Sequence, residues 1–148
     1  MLIFLRPPED TIMERVQELF SGSAAFAVTF LVSLALLGAF ITLYSLLTAH
    51  REMTLIRRDN RAAALSLGGA IVGFVIPVGK AVAQSASLVD LVVWAAIAFV
   101  AQILAYAAAA ALLPHLSKAI ADDHVASGIL LAALALAIGI LNAASMTA

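Results

Sequence analysis

Two pairs of polar residues stand 64 positions apart in the sequence, Asp59 with Asn60 and Asp123 with His124. Each pair comes directly before a long apolar run. At such a place a polar side chain accepts hydrogen bonds from the first free amides of a helix, which lipid cannot satisfy. Together with Glu52, the same side chains would alternatively form an acidic vestibule that attracts cations. We favour helix capping and keep the vestibule as the alternative.

Metal, cofactor and catalytic sites receive little support from the sequence. The three histidines, His50, His115 and His124, and the acidic residues lack the i, i+4 ligand spacing of strong zinc motifs. The absence of cysteine excludes disulfides, thiolate metal centres and cysteine nucleophiles. There is no Ser/His/Asp constellation within reach, no glycine loop for phosphates, and no charge in the middle of an apolar run. We therefore predict a protein that is not an enzyme and that has no metal or cofactor.

The third apolar run contains an amide, Gln102, at its midpoint, with Tyr106 one helical turn further on. An amide in hydrocarbon is unfavourable without a partner, so Gln102 should face protein or water. One role is an interhelical hydrogen bond, to Ser66, Ser33 or Thr29. The other is a polar pathway at mid-membrane, made by repeating Gln102 around the axis of a homo-oligomer.

The second apolar run has a row of residues that suits close helix packing. Gly69 and Gly73 form a GxxxG motif, and Pro77 continues the same row four residues later. Glycines let a neighbouring helix approach closely, while a proline removes a backbone donor and tends to kink the helix. The row predicts a helix–helix contact, within one bundle or between protomers. A kinked helix that lines a pore is the alternative.

Four apolar runs must position these residues. Of the 148 residues, 64% are apolar and 11% are charged, whereas a soluble domain carries about a quarter charged residues. Runs long enough to cross a bilayer span residues 24–47, 62–82, 91–113 and 125–144, and within them only Lys80 is charged. We predict an all-α integral membrane protein whose four transmembrane helices form one domain, residues 24–148. The net charge of −1 excludes nucleic acid as a partner.

Residues 1–23 form a separate N-terminal segment by sequence. Thr11 and Glu14 have the spacing of a capping box. The apolar residues around them recur at helical intervals: Ile12, Val16, Leu19 and Phe20. We predict a short amphipathic helix that lies at the membrane interface.

The basic residues predict the orientation. Four spans place both termini on one side, together with the loop between spans two and three. That side carries Arg6, Arg15 and Lys80. The other two loops carry Arg51, Arg57, Arg58, Arg61 and Lys118. Because cytoplasmic loops are enriched in Lys and Arg, we predict that these two loops are cytoplasmic and that both termini are periplasmic.

The two polar pairs belong to a longer internal similarity. Residues 55–63 resemble residues 119–127, with Ile, Asp and Ala matched at corresponding positions. Each segment precedes an even-numbered span. The predicted fold therefore consists of two hairpin repeats of the same orientation, related by an axis along the membrane normal.

A resemblance to a bacterial family covers about residues 24–147. The matching residues are Thr48, His50, Glu52, Leu55 to Arg57, Asn60, Ala62 to Ala64, Gly69, Gly73, Val75 to Pro77 and the tail from Gly139 to Thr147 around Asn142. In these features the chain resembles the domain of unknown function 350 family, the YjfL-like inner-membrane proteins. The resemblance implies a polytopic protein of the bacterial inner membrane, often built as a duplicated two-helix unit. The family tends to have Asn where this chain has His124, and it has no established activity, so no catalytic residue is carried over.

Two functions remain after these exclusions. The first is a subunit of a homo-oligomeric ion or small-solute channel, because several copies could enclose a path that four spans alone cannot. The alternative is a non-transporting membrane scaffold that presents its Arg-rich cytoplasmic loop to a partner protein or to anionic lipid. The expected partners are the lipid bilayer, further copies of the chain and a cytoplasmic protein.

Overall fold

The computed structural model describes residues 9–48 and 52–146, and all regular structure within these ranges is α-helical. The helices are α1 (Glu9–Leu47), α2 (Glu52–Ile56), α3 (Arg61–Gln84), α4 (Leu88–Leu112), α5 (Leu116–Ala121) and α6 (Val125–Ser145). Four of them, α1, α3, α4 and α6, are long and apolar enough to cross a membrane. The prediction of an all-α fold with four membrane-length helices is therefore confirmed.

The first helix begins earlier than the first predicted span. It continues from Glu9 to Leu47 without a break, so residues 9–23 share one helix with the first span, and their position at the membrane interface stays a prediction. The reason is local, since neither a proline nor a polar loop interrupts this stretch. Thr11 lies inside α1 rather than at the start of a helix, as a capping box would require. Its side chain and residues 1–8 lie outside the described residues.

Within residues 9–34, two serine hydroxyls are satisfied by the backbone of their own helix. The Oγ of Ser23 donates to the carbonyl of Leu19 at 2.6 Å, and the Oγ of Ser33 donates to the carbonyl of Thr29 at 2.8 Å. Such bonds allow a helix to carry hydroxyl groups through an apolar environment. Ser33 therefore uses its hydroxyl proton within α1.

From Ala35 onward, the closest packing is between α3 and α6, where glycines allow the backbones to touch. A Cβ atom at Gly69 would lie 2.5 Å from the Cβ of Ala132, and one at Gly128 would lie 2.8 Å from the Cα of Ala62. These contacts advance along both helices in the same order, so α3 and α6 run in the same direction. Small residues at such contacts drive helix association in lipid, where apolar burial alone gives little.

The last turns of α1, after residue 34, are held to α3 and α4 by aromatic packing. The ring of Phe40 stacks on Phe74 of α3 with a centroid distance of 4.2 Å and meets the edge of Phe99 of α4 at 6.1 Å. Tyr44, and Thr48 directly after α1, continue the same face at four-residue intervals, and all three residues are buried. This buried face of the chain continues towards the polar residues that precede α3.

Candidate functional site

Asn60 joins the start of α3 to the end of α5. Its Oδ1 accepts from the amide of Ala63 at 2.7 Å and so caps α3. Its Nδ2 donates to the carbonyls of Ile120 and Ala121 at 2.8 and 3.2 Å. One buried side chain thus satisfies a free amide at the start of one helix and two carbonyls at the end of another.

Asp123 also caps α3, although the sequence places it before α6. Its Oδ1 accepts from the amides of Arg61 and Ala62 at 2.7 and 2.9 Å, and its Oδ2 lies 3.4 Å from the Nε of Arg61. The amide of Ala62, and then the amide and guanidinium of Arg61, hold the pKa of the Asp123 carboxyl below its ordinary value. We expected an aspartate to cap the helix that follows it, and this one instead caps the helix of the other half of the chain.

Asp59 and His124, at the corresponding positions of the two turns, do not make the same hydrogen bonds as Asp123 and Asn60. Asp59 has a positive φ of 60°, like Asp123 with 59°, but its side chain is exposed and makes no hydrogen bond within the described ranges. His124 stands at the start of α6 without a side-chain capping bond. We call residues 57–60 and 122–124 the capping loops. Their bonds are asymmetric, since both capping side chains, Asn60 and Asp123, serve α3.

Glu52 does not join the other acidic residues at the surface. Its side chain is 0% exposed, whereas Asp59 is exposed. The Oε2 of Glu52 lies 2.7 Å from the Oγ1 of Thr48. The vestibule hypothesis requires these acids to face the same solvent, and the structure does not place Glu52 there.

Gln102 is enclosed by helices of its own chain. Its Nε2 donates to the carbonyl of Ala135 in α6 at 3.2 Å, and a Cβ atom at Gly73 would lie 2.7 Å from the same nitrogen. The side chain is 0% exposed. Its partner is therefore a backbone carbonyl rather than Ser66, whose buried hydroxyl makes no hydrogen bond among the described residues.

Tyr106 bonds away from Gln102. Its hydroxyl lies 2.9 Å from the Oγ of Ser117 in α5, so these two polar side chains of α4 contact different neighbours. Gln102 and Tyr106 thus make two separate interhelical contacts.

Gly69, Gly73 and Pro77 all face the interior of the bundle. Because Pro77 has no amide proton, it cannot donate to the carbonyl of Gly73 four residues earlier. That carbonyl lies against Gly139 of α6, where a Cβ atom would lie 2.6 Å from the Cα of Gly73. The GxxxG row therefore packs within one chain, against α6.

The structure adds site residues that the sequence analysis did not single out. The carbonyl of Ala135 accepts from Gln102, and the carbonyl of Tyr44 accepts from Thr48, which also lies beside Glu52. The four-residue interval between Thr48 and Glu52 was visible in the sequence, whereas a backbone carbonyl such as that of Ala135 leaves no sequence signal. Within the described ranges, no group of three or more His, Asp or Glu residues could hold a metal ion.

Comparison with known proteins places these features in a family. Residues 17–146 match the family described as Domain of Unknown Function (DUF350). The chain belongs to this DUF350 family. It is 38% identical over 123 residues to the UPF0719 inner membrane protein YjfL of Escherichia coli K12, which covers 83% of this chain and 93% of that protein. It is 29% identical over 80 residues to the UPF0719 transmembrane protein YshE of Bacillus subtilis, covering 54% of this chain and 60% of that protein. No solved structure matches the chain.

Membership of the DUF350 family agrees with the helices. The relatives are inner-membrane and transmembrane proteins by name, and four helices of this chain are long and apolar enough to cross a membrane. The matched region includes the capping loops, Glu52 and Gln102. The chain is therefore a membrane protein of the DUF350 family.

Proposed function

We propose that the chain is a subunit of a non-transporting scaffold in the bacterial inner membrane, which presents its capping loops to a partner at the membrane surface. The observation that carries this proposal is the burial of Gln102 inside a single chain. The amide donates to the carbonyl of Ala135 and packs on Gly73. This polar side chain thus joins α4 to α3 and α6, and it is not exposed at the surface of the described chain.

A homo-oligomeric channel is the competing proposal. A polar ring around an oligomer axis requires Gln102 to reach the surface of the protomer, whereas its side chain is 0% exposed. The outer face of α4 is apolar, with Val93, Val100 and Leu104 exposed. A path between protomers along this face would lack polar groups to replace the water around an ion.

The proposed architecture of the scaffold is two hairpin repeats of the same orientation. The backbone amides of Asn60 and His124 each donate to the carbonyl five residues earlier, at 3.2 and 2.9 Å. Each of these residues follows an aspartate of positive φ, and α3 and α6 run in the same direction in contact. These features support a duplicated hairpin, with Asn60 and Asp123 joining the two halves.

The proposed docking surface is the exposed basic part of the first capping loop, on the cytoplasmic side, with both termini periplasmic. Arg57 and Arg58 are exposed and form no ion pair with any described residue. Arg61 is also exposed, but it pairs with Asp123. The first two arginines therefore remain available to anionic lipid or to an acidic protein segment, and a homo-oligomer would repeat this surface around its axis.

Purified full-length protein in planar bilayers tests the scaffold against the channel. We expect no protein-dependent conductance from the wild type or from Gln102→Ala. A wild-type conductance that Gln102→Ala alters would reject the scaffold and support the channel.

Lipid preference tests the proposed surface. Arg57→Gln with Arg58→Gln should lower the preference for phosphatidylglycerol over phosphatidylcholine, measured by exchange of spin-labelled lipids around the protein. The control Arg61→Gln should change it less, because Asp123 already neutralises that guanidinium. An unchanged preference in the double variant would exclude anionic lipid as the partner.

A further inference from the structure

The N-terminal part of α1 carries a row of exposed apolar side chains at alternating intervals of four and three residues. The row consists of Ile12, Val16, Leu19, Ser23, Phe26 and Phe30, which we call the α1 seam. Ile12, Val16 and Leu19 are 52%, 40% and 71% exposed, and both phenylalanines are exposed as well. Alternation of four and three is the spacing at which helices pair along one face as a coiled coil.

The single polar member of the α1 seam does not prevent pairing. The hydroxyl of Ser23 donates to the carbonyl of Leu19 in the same helix, at 2.6 Å, so its proton is already satisfied. An ideal Cβ atom at the neighbouring Gly22 would have no atom within 4 Å. Small residues at this level allow a second helix to approach closely.

The charged and polar residues of the same stretch leave the seam free. Glu14, Gln17 and Glu18 are exposed on the opposite face of the helix. Arg15 is the only basic residue between positions 12 and 23. The stretch is therefore amphipathic, and its polar face is acidic.

The acidic face distinguishes between two ways of covering the seam. Residues 12–23 precede the apolar run of the first span, which begins at residue 24, so their apolar side chains need cover from water. Helices that lie on anionic membranes usually have a polar face rich in Lys and Arg, whereas here Glu14 and Glu18 would be repelled. A second copy of the chain, inserted in the same orientation, offers an identical apolar row in the same register and keeps both glutamates in water.

We propose that two copies of the chain pair in parallel through the α1 seam. Each seam residue then lies opposite its counterpart, with Ile12, Val16 and Leu19 covered outside the hydrocarbon core. Phe26 and Phe30, whose rings stack within α1 at a centroid distance of 5.8 Å, continue the contact into the span. The pairing concerns how copies join, so it is independent of whether the assembly is a scaffold or a channel.

Single cysteines in the full-length protein test the pairing in native membranes, because the chain has no cysteine of its own. A disulfide forms only where the two Cα atoms come within about 7 Å. Under mild oxidation with copper phenanthroline, Val16→Cys and Leu19→Cys should give a product of twice the chain mass. Glu14→Cys, on the opposite face, should remain monomeric. Equal yields from Leu19→Cys and Glu14→Cys would overturn the proposal, and so would the absence of this product, the result expected if the seam lies on lipid or meets another protein.

A charge placed in the seam tests whether the seam holds the copies together. Two copies with different tags are produced in the same cells, and their co-purification is measured. Leu19→Glu in both copies should abolish co-purification, whereas Gln17→Glu adds the same charge to the outer face and should leave it unchanged. Both positions are exposed, so neither change disturbs packing within the chain. Undiminished co-purification of Leu19→Glu, or none in the wild type, would overturn the proposal.

Discussion

Replacing Gly139 by alanine should destabilise the bundle through a clash that cannot relax. A Cβ atom at this position would meet the backbone of Gly73, with its Cα at 2.6 Å and its carbonyl carbon at 2.7 Å. Atoms of the main chain cannot rotate away as the end of a flexible side chain can. The two helices must therefore separate, at the level where Gln102 bonds to Ala135.

The magnitude follows from a comparison with Gly68, which has no atom within 4 Å of its ideal Cβ position. Both substitutions gain helix propensity, about 1 kcal/mol each for an exposed helix position. The gain in helix propensity largely cancels between the two variants, so the difference between their free energies of unfolding measures the steric clash. Overpacking a tight interior costs about 1–3 kcal/mol, and we expect the upper part of this range because the clash is with backbone.

Reversible unfolding in mixed micelles measures the difference. Titration with a denaturing detergent, followed by circular dichroism, gives the free energy of unfolding of the wild type, Gly139→Ala and Gly68→Ala. The ordering should be Gly68→Ala at or above the wild type, and Gly139→Ala below both. Equal stability of the two variants would mean that the contact between Gly73 and Gly139 is not as close as the structure has it.

Three further outcomes follow from the loops between the helices. Asn60→Ala should lower the free energy of unfolding by about 1–2 kcal/mol for the lost cap of α3. The lost hydrogen bonds to the carbonyls of Ile120 and Ala121 would add to this. A loss below about 0.5 kcal/mol in the same titration would contradict the capping role. Folding lowers the pKa of Asp123, so its bonds stabilise the protein at pH values above the ordinary aspartate range, and this stability is lost as the pH falls through the lowered pKa. The free energy of unfolding of Asp123→Asn should therefore depend less on acid pH than that of the wild type. Parallel pH dependences of the two proteins would refute this. Because the chain has no cysteine, single cysteines can report the orientation. Arg58→Cys should react with an impermeant maleimide only after cells are opened, whereas Ala86→Cys, at an exposed position between α3 and α4, should react in intact spheroplasts. The reverse pattern would invert the proposed orientation.

The sequence was informative where a residue acts on its own helix or at its own level in the membrane. Apolar runs that contain no charge except Lys80 locate α3, α4 and α6, and Asn60 caps the helix that follows it. The bonds of Asp123 and Gln102 were not predictable, because each crosses to a helix more than 30 residues away and ends on backbone atoms. The extent of α1 was missed because helical periodicity alone does not mark where an interfacial helix would end.

The distribution of polar groups limits how the scaffold can meet a partner. Gln102 bonds inside the bundle, Pro77 leaves a carbonyl that packs on Gly139, and Glu52 is buried beside Thr48. Within residues 35–146, none of these three groups reaches the surface that faces the lipid. A partner that recognises positive charge therefore contacts the ends of the helices, where Arg57, Arg58 and Arg61 are exposed. A partner within the membrane would have to recognise shape, through exposed small residues such as Gly68.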